Sequence, residues 1–150
     1  MLIFIQVSNS AEYTIADWEN EIGLARDAKI DGFVMNMANG EASNGQPLAN
    51  AFTTSSNLGN SFKFVFSFDY AGNGLWDAND VIALIQKYSG HPAYFHRGSQ
   101  PLVSTFEGPA AATDWPSIKT ATDCFFMPSY SSLGARNAWA TGVADGLFSW

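Results

Sequence analysis

Six short runs of the chain are apolar at nearly every position rather than at alternate ones. They are Leu2–Val7, Gly32–Met37, Phe62–Phe68, Leu102–Phe106, Cys124–Met127 and Gly146–Trp150. A strand with one wet face alternates apolar and polar residues, whereas a strand covered on both faces does not. Between the runs lie segments of helical periodicity. Strand and helix therefore alternate, and that alternation specifies parallel strands joined by right-handed crossovers. The expected sheet is parallel, in consecutive order, with the strand ends gathered on one edge.

The helical segments carry start signals. Thr14 can cap a helix from Ile15, with Asp17 at the third helical position as in a capping box, and Tyr13 can pack on Trp18 as a hydrophobic staple. Ile15, Trp18, Ile22 and Ala25 then line one face. Asp77 repeats the pattern: Asp80 favours the positive helix end, Trp76 can staple to Val81, and Val81, Leu84, Ile85 and Tyr88 form the inner face. Pro47 opens another helix that Gly59 closes, with Leu48, Ala51, Phe52 and Ser55 inside. Asp114-Trp115-Pro116 starts a short fourth helix, and Leu133 to Ala144 forms a weak fifth.

The expectation is an α/β chain of about six parallel strands and five helices, a partial (β/α)8 TIM-type barrel forming one domain over residues 1–150. A complete eight-fold barrel takes at least ~200 residues, so this count falls short of closure. A small doubly wound open sheet is the competing architecture. Against it, Ser8-Asn9-Ser10-Ala11-Glu12 after the first strand holds no glycine and hence no phosphate-binding fingerprint. In a partial barrel the first and last strands are exposed edges with apolar faces, so self-association through them is expected.

Charge removes whole classes of function. The net charge is -7 with seven basic residues spread singly, so no phosphate-tracking stripe can form and nucleic acid is not a partner. No apolar run is long enough to span a membrane. Met1–Val7 lacks a basic flank and a small-residue cleavage site, and reads as a strand rather than a signal peptide. The single cysteine, Cys124, lies in an apolar run and reads as a buried, inert thiol. His91 and His96 sit five residues apart without acidic companions, which suits a structural role better than a metal site. Neither metal nor cofactor is expected. Aromatic residues make up 15% of the chain. Sugar faces stack on such rings, although most of the Phe residues read as core.

Chemistry is expected where strands end in carboxylates. Phe62–Phe68 runs into Asp69-Tyr70-Ala71-Gly72-Asn73-Gly74, and Leu102–Phe106 runs into Glu107-Gly108-Pro109. In a (β/α) barrel, active sites sit at this end of the strands, where a rigid strand meets an open loop. Consecutive strand ends would place Asp69 and Glu107 in one mouth, where two carboxyl groups could serve as general acid and base. The plainer alternative is that each is a loop acid paired with a nearby Lys or Arg. Gly72 and Gly74 permit close backbone approach beside Asp69. Asn36, ending the second strand, would either bind a sugar hydroxyl or satisfy loop backbone. Tyr70, Tyr130 and Trp150 are candidate stacking surfaces, as is Trp76, for which the helix staple is the simpler role.

Several segments resemble glycoside hydrolase family 71, the fungal α-1,3-glucanases or mutanases. They include Thr14-Ile15-Ala16-Asp17-Trp18, Phe66-Ser67-Phe68-Asp69-Tyr70-Ala71-Gly72-Asn73-Gly74 and Ser104-Thr105-Phe106-Glu107-Gly108-Pro109. His91-Pro92-Ala93-Tyr94-Phe95-His96, Asp114-Trp115-Pro116, Cys124-Phe125-Phe126 and Asp145-Gly146-Leu147-Phe148-Ser149-Trp150 fit as well, and the order holds along almost the whole chain. The resemblance implies a (β/α)8 catalytic domain, usually secreted, that hydrolyses α-1,3-glucan with inversion. It implies that the acid/base pair lies in an Asp-Tyr-Gly-Glu-like segment later than any residue of this chain. Asp69 then becomes a site carboxylate that binds substrate or tunes that pair, and Glu107 a supporting or substrate-contacting group. The family tends to carry His in its first strand where this chain has Phe4. Two other readings stand beside this one: a non-catalytic glucan-binding or structural remnant, and an unrelated enzyme on a small open sheet.

Overall fold

A computed structural model describes residues 1–149. Five strands, β1 (Leu2–Gln6), β2 (Gly32–Ala38), β3 (Lys63–Asp69), β5 (Gln100–Phe106) and β6 (Phe125–Ser129), pair in parallel and in chain order. Five helices connect or follow them: α1 (Ile15–Asp27), α2 (Gln46–Asn57), α3 (Ala78–Ser89), α4 (Trp115–Thr122) and α5 (Gly134–Ala140).

The sheet departs from the sequence expectation in two places. A two-residue strand, β4 (His96–Arg97), turns back antiparallel onto the start of β5. It is too short to leave a periodic signal. The run from Gly146 forms no strand within the described residues, yet it lies along β6. Gly146 N donates to Phe126 O at 3.3 Å and Phe148 N to Pro128 O at 3.0 Å. The return bond of a parallel ladder would come from residue 128, which is proline and has no N–H to give.

Local chemistry explains the helices. Thr14 Oγ1 accepts from Asp17 N while Asp17 Oδ2 accepts from Thr14 N, completing the capping box. Tyr13 meets Trp18 edge-on at 5.3 Å. Asp77 Oδ1 caps α3 through Asn79 N at 2.8 Å. One position expected inside, Ile15, is exposed, while Leu84 is half-exposed and packs on the core from the margin of its stripe. Gly32 is required by close approach. A Cβ there would stand 2.3 Å from Lys63 O on the neighbouring strand.

The two faces of the sheet differ. Phe33, Met35, Met37, Phe64, Phe66, Phe68, Val103 and Phe126 share one large core with buried residues of all five helices. The helices therefore cover a single face, as consecutive right-handed crossovers dictate. The other face holds a smaller cluster of Val34, Val65 and Leu102, flanked by Leu2, Phe4, Phe125, Met127 and Phe148, with no helix residue in it.

That bare face is curled. Phe4 on β1 and Phe148, beside β6, meet edge-on with ring centroids 5.1 Å apart. In a flat sheet β1 and β6 would stand four strand spacings apart, about 19 Å. Contact across the face requires the sheet to bend round on itself, which is the geometry of a barrel wall.

Candidate active site

The bare face changes character along the strands. Register places Phe4, Val34 and Val65 abreast, and the next layer towards the C-terminal edge is Gln6, Asn36, Ser67 and Ser104. Asp69 follows one pleat further on β3, level with Ala38 and Phe106. An apolar floor thus gives way to amides and hydroxyls, then to a carboxylate.

These side chains form one network. Asn36, 1% exposed, donates from Nδ2 to Gln6 Oε1 at 2.8 Å and to Asp69 Oδ2 at 3.0 Å, while its Oδ1 accepts from Ser67 Oγ at 3.0 Å. Asp69, 8% exposed, accepts at Oδ1 from Ala71 N and Gly72 N, both at 2.9 Å. Gly72 folds back tightly here, and a Cβ on it would lie 2.9 Å from Ala38 Cβ. Three of the roughly four acceptor positions of the carboxylate are occupied by neutral donors. One position on Oδ2 remains. No Lys, Arg or His forms an ion pair with Asp69 among the described residues. The plain loop-ion-pair alternative therefore does not describe this residue.

Of the two roles expected of Asn36, loop backbone is not what it satisfies: both Nδ2 donors and one acceptor position of Oδ1 are committed to side chains, which leaves no donor for a sugar hydroxyl and ties Asn36 to Asp69.

Glu107 also sits on the C-terminal edge, at φ 54, with its N–H donating to Ser129 O at 3.0 Å. Its carboxylate grips the loop after β6: Oε1 accepts from Ser131 Oγ at 2.6 Å and Ser132 N at 2.8 Å, and Oε2 from Ser132 Oγ at 2.6 Å. Partial burial pushes its pKa up, but the donors of Ser131 and Ser132 outweigh that and hold it below the usual carboxylate range. Glu107 is thus a loop clamp kept ionised, a poor arrangement for a proton donor. It too makes no ion pair among the described residues.

The expected stacking rings are corrected as well. Tyr70 and Tyr130 are 5% and 2% exposed, and neither offers a free face. Tyr70 is packed under the next loop, where Gly108 at φ 91 leaves no room for a Cβ, which would stand 2.5 Å from Tyr70 Cγ. Burial drives both phenol pKa values far up, helped for Tyr70 by Tyr130 and Asp114. Trp76 is buried edge-on against Phe68 and donates from Nε1 to Met37 O at 3.2 Å. Trp150 lies outside the described residues.

His91 is structural. Its Nδ1 accepts from Ala93 N at 3.0 Å, and Nε2 lies 3.1 Å from Ser56 Oγ. Among the described residues, no group of three or more His, Cys, Asp or Glu is placed to hold a metal ion, and no helix is long and apolar enough to cross a membrane.

The functional residues that sequence reasoning missed are Gln6, Ser67, Ser131 and Ser132. A signal existed for Ser67. In Phe64-Val65-Phe66-Ser67-Phe68 the Phe residues fall on alternate positions and mark the helix-covered face, which leaves Val65 and Ser67 on the other.

Comparison with known proteins agrees with this geometry. The model of glycosyl hydrolase family 71 matches residues 1–150. The chain belongs to glycosyl hydrolase family 71. A glucan endo-1,3-α-glucosidase of Schizosaccharomyces pombe is 28% identical over 157 residues, covering 96% of this chain and 36% of that protein. A mutanase of Penicillium rubens is 28% identical over 141 residues, covering 93% of this chain and 31% of that protein. The chain therefore spans about a third of the length of these curated relatives. In fold it is similar to the GH99 endo-α-mannosidase of Bacteroides thetaiotaomicron, with TM-score 0.67 and 17% identity, over 95% of this chain and 47% of that one. That likeness concerns architecture alone, and it agrees with the curled parallel sheet.

Proposed function

We propose that this chain forms part of the catalytic mouth of a secreted, inverting endo-α-1,3-glucanase, and that its own contribution is the fixed carboxylate Asp69. The observation that carries this reading is the three-donor lock on Asp69, at the C-terminal edge of a curled parallel sheet. Hydrolysis of a glycosidic bond passes through a transition state with positive charge on the sugar ring. A carboxylate oriented beforehand, with one acceptor position left, can bind a glucose hydroxyl and stabilise that charge. Proton donation needs a different group. On this reading the acid/base pair lies in a later segment, as the family resemblance implies, and the lowered pKa of Glu107 suits a clamp better than a proton donor. Glu107 shapes the mouth by holding the Ser131–Ser132 loop.

Family membership and the two glucan-cleaving relatives support the substrate class. On this reading the 150-residue chain alone does not hydrolyse α-1,3-glucan, because positioned proton transfer contributes ~10²–10⁴-fold in rate and has no donor here. The test is reducing-sugar release from insoluble α-1,3-glucan. In the complete domain, Asp69→Asn should lower kcat at least ~100-fold with little change in KM. Release by the isolated chain, abolished by Asp69→Asn or Glu107→Gln, would instead make those two residues the catalytic pair.

The commitment of three of the roughly four acceptor positions on each carboxylate to protein donors also favours a second reading, a glucan-binding remnant without catalysis. Binding to the polysaccharide that persists while the complete protein shows no turnover would select it.

A further inference from the structure

The outer layer of helices has a gap. α1 packs closely on α2 and α3 on α4, but α2 and α3 meet mainly through large rings, with Phe52 and Tyr88 at 4.5 Å. Rings of that size hold the two helices apart. At the C-terminal end of the sheet the seam opens into a hollow of ≈ 390 Å³ between the loop after β2 and the outer face of α3. That volume falls within the range of small-ligand sites, about 300–1,000 Å³.

The lining combines an apolar base with convergent polar groups. Trp76 and Leu84 supply the base, and Asn39, Glu41, Asn44, Asp80 and Lys87 supply the polar groups. Asn44 donates from Nδ2 to Ala38 O at 2.8 Å, yet its Oδ1 is buried without a hydrogen-bond partner among the described residues. A buried acceptor left open in this way is uncommon. Glu41 accepts at Oε1 from Asn73 Nδ2 at 3.0 Å, and its Oε2 makes no hydrogen bond among the described residues. Asn39 donates to Leu75 O at 2.8 Å, which fixes the exposed Leu75 beside the rim. Asn73 and Leu75 belong to the loop that begins at Asp69. The wall of the hollow is thus tied to the candidate active site while facing away from it.

We propose that this hollow is an accessory glucan-binding site that holds α-1,3-linked glucose units outside the barrel mouth. Amides, two carboxylates and an ammonium over an apolar base match the hydroxyl-rich edge and apolar face of a pyranose. A polymer threaded over the Asp69 loop would be anchored there, as two linked sites raise the effective concentration of chain at the mouth. The inference rests on the glucan reading above.

The test is hydrogen-exchange mass spectrometry on the chain at low micromolar concentration with a soluble α-1,3-linked glucose tetramer. Protection is expected in the peptides spanning residues 39–44 and 76–87, separately from the peptide spanning 66–72. Ala83→Trp, an exposed position on the rim, should raise the tetramer concentration for half-protection of 39–44 at least tenfold. Glu41→Ala, in the loop, should raise it three- to tenfold. Circular dichroism should match the parent for both. Protection confined to 66–72 would overturn the accessory site and leave the glucan reading standing. Absence of protection in every peptide would count against both. Equal protection of 39–44 by α-1,4- or β-1,3-linked tetramers would overturn the assignment to α-1,3-glucan.

Discussion

Asn36→Leu is the substitution that most directly tests how the site is held. The side chains share the same branching and number of heavy atoms, with Leu the bulkier, so the change removes hydrogen bonds without opening a cavity. Three bonds disappear. Asp69 Oδ2 loses its side-chain donor, Ser67 Oγ loses its acceptor on a side chain with no exposure, and Gln6 Oε1 loses the bond at the margin of the face. A hydrogen bond to a charged group contributes about 1.5–3 kcal/mol, and a buried polar group left unpaired costs about 1–3 kcal/mol. Gln6 can turn towards water, so its loss is small. The apolar gain of Leu offsets about 1 kcal/mol. The net destabilisation is about 1.5–5 kcal/mol, against a total of about 5–15 kcal/mol for a domain. With a urea dependence of about 2 kcal/mol per molar, the midpoint should fall by roughly 0.8–2.5 M at unchanged slope.

Two further measurements separate this reasoning from a general core defect. Ser67→Ala should be costly alone but nearly neutral in the Asn36→Leu background, because its partner is already gone. Asn36→Asp would place two carboxylates about 3 Å apart, given the present 3.0 Å contact. One of the pair then has a raised folded pKa. Folded protein binds more protons than unfolded protein above pH ~4, so the stability of this variant should decrease as pH rises from 4 to 7. A urea midpoint for Asn36→Leu within about 0.3 M of the parent, under ~1 kcal/mol, would refute the claim that Asn36 holds the site together.

Other expectations concern the loops and edges. Glu107 has a lowered folded pKa, so its contribution is present above its unfolded value and lost as pH falls through the folded one. The stability difference between parent and Glu107→Gln should therefore shrink between pH 6 and pH 3 in thermal melts, while hydrogen exchange at 131–133 rises in the variant at pH 7. Gly108→Ala should destabilise by at least about 2 kcal/mol in urea titration, since the position has φ 91 and its Cβ would overlap Tyr70. β1 is partly exposed along its whole length and pairs only with β2 among the described residues. Sedimentation velocity should accordingly show concentration-dependent association, and a single monomer species up to 100 μM would refute it.

Much of the layout was legible in the chain because it rests on local rules. Near-continuous apolar runs marked strands covered on two faces, and Thr14/Asp17 and Asp77 marked helix starts that the structure reproduces. The edge that carries Asp69 and Glu107 followed from parallel topology alone. What each polar residue does was not legible. Asn36 looked like a hand extended to substrate, yet its role depends on Gln6 and Ser67, 30 and 31 residues away in sequence. Tyr70 and Tyr130 follow strand ends but are roofed by neighbouring loops, and no periodicity encodes a roof. Pro128 shows the limit most clearly. The run from Gly146 reads as a strand, yet within the described residues it is none, because residue 128 on the neighbouring strand is proline and lacks the N–H for the return bond.

The way Asp69 is oriented bears on what it can do. A carboxylate can be fixed either by a cation or by neutral donors, and the two are not equivalent at a reaction centre. A paired Arg or Lys would fix the side chain and cancel most of its field at the distance of a substrate. Amide donors from Asn36, Ala71 and Gly72 fix it while leaving the unit charge in place. The nearest layer on the same face contributes only amides and hydroxyls, and the lysine of β3 lies at the opposite end of the strand, in register with Gly32. At an effective dielectric of 20, a full charge 5 Å from a developing cation is worth about 3 kcal/mol, against under 1 kcal/mol in bulk water. That difference corresponds to roughly 50- to 100-fold in rate. It depends on the carboxylate being held still, unneutralised and shielded from solvent, and the Asn36 network provides the first two. The third requires the bare face to be enclosed, so the effect of Asp69→Asn on kcat should be largest in the complete domain, where the face is covered.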